Sequence, residues 1–149
     1  MSKDLALLIL RLAGAGLAYA HGWGKVVSLS LGQGDRFIAG VAELGFPAPG
    51  LFAWAAALAE FLGGLCIALG LGSRIAAGFA AFNMSVAAFG RHKAHVQLFV
   101  NLGLVEIPAD TLKAWGNPEL ALLYLAVSLA VVLVGPGRFA LDSLVGRKP

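Results

Sequence analysis

The chain is 149 residues long, 59% hydrophobic and 13% charged, with a net charge of +3. Soluble domains carry about 25% charged residues, so this composition argues against an ordinary soluble domain and for an integral membrane protein. The Lys and Arg residues are scattered singly, which sets nucleic acid aside as a partner, and the lone Cys66 rules out an intrachain disulfide or a CxxC redox motif.

Four apolar runs follow in chain order: Leu5–Tyr19, Leu51–Leu71, Ile75–Phe89 and Leu120–Val134. Leu and Ala dominate them and no period-two alternation occurs, so each reads as helix. A bilayer crossing takes roughly 20 residues. Extended at their ends, the runs predict spans over 5–22, 51–71, 75–90 and 119–135. The fold class is therefore an all-α integral membrane protein. It is a single domain, 1–149, built as a four-transmembrane-helix bundle with one or two short interfacial helices.

Ala18-Tyr19-Ala20 imitates a signal-peptide cleavage site. Asp4 cancels Lys3 and Arg11 interrupts the apolar region, so the first run reads as an uncleaved helix. Next, Phe37, Ile38, Val41 and Leu44 fall at helical spacing within Asp35–Leu44. They predict an amphipathic helix lying on the membrane surface, stopped by the turn Gly45–Gly50. Gly70-Leu71-Gly72-Ser73-Arg74 is a tight turn that makes the second and third spans antiparallel neighbours. In the last connection, Arg91–Pro118, the stretch Val96–Val105 reads as a second interfacial or re-entrant helix. Trp23, Trp54 and Trp115 fall near segment ends on one side, as an aromatic belt does.

Four spans put both termini on one side. Lys3, Arg74, Arg138, Arg147 and Lys148 lie there, against Lys25, Arg36, Arg91, Lys93 and Lys113 opposite, five to five. The shorter segments are on the termini side, which favours cytoplasmic termini in a bacterial-type inner (plasma) membrane.

Two charges interrupt the apolar runs: Arg11 in the first and Glu60 in the middle of the second. An ionised side chain at bilayer depth costs about 2.5–3.5 kcal/mol on insertion scales, and it persists where it pairs, lines a polar cavity or does chemistry. Arg11, Gly14, Ala15, Ala18, His21, Gly22 and Lys25 share one face of the first helix. Ala53, Ala56, Ala57, Glu60, Gly63 and Gly64 form a similar stripe in the second, and Ala76, Ala80, Asn83, Ala87 and Gly90 in the third. Small residues let membrane helices approach closely. Turning these faces together places Arg11, Glu60 and Asn83 in one interior. Two readings stay open: a polar pocket for a small anionic or carbonyl-bearing ligand, or a buried ion pair that fixes helix register.

His21 shares the Arg11 face and is read as a site residue. His92 and His95 lie past the third helix on the same side of the membrane. They face headgroups, or they act with His21 in proton relay or metal binding; no metal site is assigned. Cys66 reads as a packing residue, Glu119 as a favourable charge at a helix N-terminus, and Arg138 with Asp142 as organisers of the turn after the last helix. The chain contains no Walker loop, dinucleotide fingerprint, HExxH, or flavin or haem motif.

Several motifs recur in an order that resembles the DoxX family. Arg11, Gly14 and Gly16 followed by His21-Gly22-Trp23-Gly24-Lys25 resemble its R…G…HG..K opening. Gly45-Phe46-Pro47 resembles its G-[LF]-P turn, Ala59–Gly64 its AE..GG motif, Gly70–Arg74 its helix turn ending in Arg, and Gly135–Asp142 its closing GPGR..LD. The resemblance implies a small four-helix inner-membrane protein of a group linked to thiosulfate:quinone oxidoreductase and other membrane redox assemblies. It also implies Arg11, His21, Lys25 and Glu60 as polar core positions. The expected function is then a redox-associated membrane subunit that binds a quinone-like ligand among the first three helices. Arg11 and His21 would bond the quinone oxygens, Glu60 and His21 would be the catalytic pair, Lys25 would draw an anionic group to the mouth, and Asn83 would line the pocket. A peripheral or soluble redox partner would supply electrons, and a homo-oligomer fits the lipid setting. A non-catalytic scaffold or assembly factor and a small-solute transporter are the alternatives.

Overall fold

The protein is described by a computed structural model covering residues 2–144. Arg147 and Lys148, two of the charges weighed above, lie outside the described residues. Helix α1 runs unbroken over Ser2–Ser30, passing through a π-helix at Leu17–Trp23. Then come α2 (Asp35–Glu43) and α3 (Pro49–Leu69). Helix α4 covers residues 73–91, as α-helix Ser73–Ser85 running into π-helix Val86–Arg91. The chain ends with α5 (Ala94–Asn101), α6 (Ala109–Trp115), α7 (Glu119–Val134) and α8 (Leu141–Leu144). No strand occurs among the described residues.

Three helical segments are long and apolar enough to cross a membrane: Ser2–Ser30, Pro49–Leu69 and Ala109–Val134, the last joining α6 to α7. Helix α4 is not among them. Ser73, Arg74, Asn83 and Ser85 dilute its apolar character. It nevertheless packs lengthwise between α3 and α7.

The first helix runs eight residues beyond its expected end at 22. Gly22 and Gly24 suggest a stop, but Gly22 is buried against the backbone of Glu60 and Phe61. Tertiary packing overrides a weak helix propensity there. The extra turns carry Leu29 and Val26 into a cluster with Val41, Ala53 and Ala57, which α2 closes with Phe37 and Ile38. The stretch Val96–Val105, expected as a second interfacial or re-entrant helix, is helical only to Asn101, as part of α5, and a further short helix, α6, follows it at Ala109–Trp115.

Close approach of α1 and α3 sets the register of the whole bundle. Gly14 and Gly64 stack, and a Cβ on either would come within 2.5 Å of the other's carbonyl oxygen. Leu17 and Ile67 beside them join Ala77, Ala80, Met84 and Val131 in the main core. The α3–α4 turn is a Schellman motif. Gly70 adopts φ +77°, and the Leu71 and Gly70 amides donate back to Cys66 (2.9 Å) and Ile67 (3.2 Å) carbonyls. Asp142 then caps α4, accepting from the Gly72 amide at 3.0 Å and the Ser73 amide at 3.4 Å. At the same end the Arg138 amide donates to Asp4 Oδ1 at 3.1 Å.

The Gly22 contact is testable. Gly22→Ala places a methyl on the backbone of α3, where nothing flexible can yield. Overpacking of this kind costs about 1–3 kcal/mol. The melting midpoint in mild detergent is expected to fall by several degrees, whereas Gly24→Ala, whose Cβ meets open space on helical backbone, leaves it unchanged or slightly raised. Equal midpoints for the two variants would remove the contact from the account.

Candidate functional site

Glu60 is the only charged residue of α3 and is 3% exposed. Lys25 Nζ donates to both of its oxygens, at 2.6 Å to Oε1 and 2.7 Å to Oε2. Asn83 Nδ2 donates to Oε1 at 3.0 Å. Oε1 therefore has two donors and Oε2 has Lys25 alone. The geometry is that of a buried carboxylate neutralised by one cation and steadied by one amide, which is what burial of such a charge requires.

Local backbone bears on the placement of Lys25. Lys25 follows the π-helix of α1 and Asn83 precedes the π-helix of α4. An i→i+5 turn changes the angular phase of the side chains that follow, and such turns occur often at functional sites. The phase change turns Lys25 toward α3.

Lys25 differs from Glu60 in exposure. Its side chain is 32% exposed, and Nζ lies 5.0 Å from the centre of the Phe37 ring on α2. It also lines an open cleft of about 340 Å³ with Ser28, Gln33, Gly34, Arg36 and Phe37. Among the described residues, no carboxylate lines this cleft. One side chain thus touches both the buried acid and the open site.

Arg11 does not join Glu60 and Asn83. It is fully buried, and its guanidinium donates to the carbonyls of Phe139 (2.7 Å) and Ala68 (3.4 Å), within electrostatic reach of Asp142. The reason is the antiparallel register of α1 and α3. With Gly14 opposite Gly64, Arg11 falls opposite the C-terminal turn of α3, while Lys25 falls opposite Glu60. The expected trio of Arg11, Glu60 and Asn83 is replaced by Lys25, Glu60 and Asn83.

His21 stands edge-on to Tyr124 of α7, with ring centres 5.7 Å apart and planes at 74°. The Tyr124 hydroxyl would lie 3.1 Å from a Cβ on Gly16, and the ring is within electrostatic reach of Glu60. Sequence reasoning passed over Tyr124, although it and Ser128 are the only polar side chains inside the apolar part of α7. His92 serves the fold. Its Nδ1 lies 2.6 Å from the Trp115 carbonyl, so that nitrogen carries the proton. Gln97 donates to the carbonyls of His92 (2.7 Å) and Gly116 (2.8 Å), and Arg91 to that of Ala114 (3.2 Å). These bonds tie α5 to the end of α6. His95 lies beside Phe89, ring centres 6.3 Å apart. No three His, Cys, Asp or Glu side chains among the described residues group as metal ligands would.

The DoxX family model matches residues 6–93. The chain belongs to the DoxX family. The match contains Lys25, Glu60 and Asn83, so the whole Lys25–Glu60–Asn83 network lies on the DoxX portion of the chain, and Arg11 falls within the match as well. The closing segment Gly135–Asp142, which holds Arg11 and caps α4, lies beyond it. No curated protein and no solved structure matches this DoxX-family membrane protein.

Proposed function

We propose that this DoxX-family membrane protein is a redox-associated subunit of the inner (plasma) membrane that binds a quinone headgroup in the cleft over Lys25. One observation carries the reading: Lys25 connects the buried Glu60 carboxylate to an open, donor-lined cleft that contains an aromatic face. Phe37 offers a ring for stacking, and Lys25, Gln33 and Ser28 can all donate to carbonyl oxygens. Lys25 takes the part expected of Arg11, and His21 stands one helical turn before it. A bound quinone would supply two-electron chemistry; the protein would hold the headgroup and keep a proton-accepting acid beneath it. A peripheral or soluble partner would deliver the electrons, as the chain has no nucleotide or flavin motif.

In this reading α4 is a fourth crossing. Ile75, Phe79 and Phe82 project outward from it, as lipid-facing residues do. Four crossings bring both termini to one side, the cytoplasmic one by the positive-inside rule.

The test is extraction and titration. Protein purified in mild detergent is extracted with organic solvent for mass spectrometry, then titrated with a short-tailed soluble quinone. A quinone that co-purifies and rebinds, and that Lys25→Met loses while the fold is kept, supports the reading. No extracted quinone and no binding on titration removes it. A scaffold role then stands, favoured by the burial of Arg11 in purely structural bonds.

A further inference from the structure

The two partners of the ion pair differ in freedom. Glu60 is 3% exposed on a packed helix, while Lys25 carries its charge on a flexible four-carbon stem at the cleft wall. Among the described residues, the cleft wall holds two cations, Lys25 and Arg36, with Gln33 and Ser28 as further donors and no acid. Such a wall is complementary to an oxyanion. An oxyanion there competes with Glu60 for the same ammonium.

When Lys25 turns to the cleft, Glu60 is left at bilayer depth without a cation. The groups facing Glu60 are Lys25 from α1, Asn83 from α4 and Tyr124 from α7, with His21 of α1 set against the Tyr124 ring. On α2, Asp35 and Glu43 are exposed, and Arg36 faces the cleft. None of the others contacts the carboxylate as a cation. A buried carboxylate in that state takes up a proton rather than remain charged. Asn83 keeps donating to Oε1, so the proton goes to Oε2, the oxygen that only Lys25 touches. We propose that binding of an oxyanion in this cleft draws Lys25 off Glu60 and loads one proton from water onto Glu60 Oε2. The site then takes an anion and a proton together and stays electrically neutral. This rests on the cleft named above as the quinone site, and the oxyanion is either an ionised hydroxyquinone headgroup or a free inorganic anion.

The experiment is isothermal titration calorimetry of the full chain in mild detergent, repeated in two buffers of different ionisation enthalpy. The probes are 2-hydroxy-1,4-naphthoquinone, which is ionised at neutral pH, neutral 1,4-naphthoquinone, and inorganic phosphate. The anionic quinone is expected to bind with uptake of about one proton, its Kd rising about tenfold per pH unit. Glu60→Gln, which leaves the Asn83 bond an acceptor, binds it without proton uptake. The neutral quinone binds with no uptake in either protein. Anion binding without proton uptake overturns the proposal, as does uptake that survives in Glu60→Gln. If only the neutral quinone binds, the coupling fails and the quinone reading stands. If only phosphate binds, with proton uptake that Glu60→Gln abolishes, the quinone reading fails and the coupling stands with a free anion. If nothing binds, both fall.

Discussion

Lys25→Met is expected to cost the protein about 3 kcal/mol, a drop of roughly 10 °C in melting midpoint on the scale of globular domains. The substitution keeps the apolar stem and removes only the ammonium that meets both Glu60 oxygens. The loss arises from the carboxylate left behind. Asn83 alone cannot neutralise it, and α3 offers no other charge. The lower end of the range for broken buried pairs applies because Lys25 is itself partly solvated. Two companion measurements give this content. Lys25→Met combined with Glu60→Gln should recover most of the midpoint, since the buried charge is then gone. The deficit of Lys25→Met alone should also shrink as pH falls and the stranded acid becomes protonated. A double variant as unstable as Lys25→Met would show that the lysine stem, not its charge, supports the fold.

Arg11→Ala is expected to be the more damaging change at the opposite end of the bundle, at about 3–5 kcal/mol. Arg11 is fully buried, and it bonds the C-terminal turn of α3 to the Phe139 carbonyl beside Asp142. Asp142 in turn caps α4 and donates its amide to the Gly70 carbonyl. Removing the guanidinium strips the hub from three chain segments and opens a cavity. Arg11→Lys should rescue only part of the loss, because a compact ammonium on a flexible stem lacks the wide, pre-organised fork with which the guanidinium reaches both carbonyls. Thermal unfolding in detergent measures both. The decisive measurement is the cycle of Arg11→Ala with Glu60→Gln. Residues in separate networks give additive losses, within about 0.5 kcal/mol. A coupling well above that would put Arg11 and Glu60 in one site after all.

Ligand measurements separate the two ends. Arg11 variants that remain folded should bind a soluble quinone as the wild type does, while Lys25 variants should not. Arg11 is occupied by backbone carbonyls and does not line the cleft.

Much of the protein was legible from residue order. The Leu- and Ala-rich runs carry helix and membrane character locally, so α3 appears within two residues of its expected start. Phe37, Ile38 and Val41 foretold α2 through their spacing, and Gly70–Arg74 foretold the α3–α4 turn through its chemistry. Glu60 and Asn83 were both picked out as polar groups on small-residue faces, and they do meet. Local signals sufficed there because each depends on neighbours within a turn or two.

The pairing of the charges depended on something else. Arg11 and Lys25 lie on the same broad face of α1, and either had the charge to meet Glu60. Stacking of Gly14 on Gly64, burial of Gly22 against α3 and the π-helical phase change at Leu17–Trp23 gave Glu60 to Lys25 and left Arg11 to the chain's closing segment. The approach of Tyr124 to His21 likewise belongs to the packing of α7 on α1. Composition and periodicity act along the chain and so decide which segments are helices and which faces are buried. Register is decided by contacts between backbones dozens of residues apart, and only the tertiary structure holds that information.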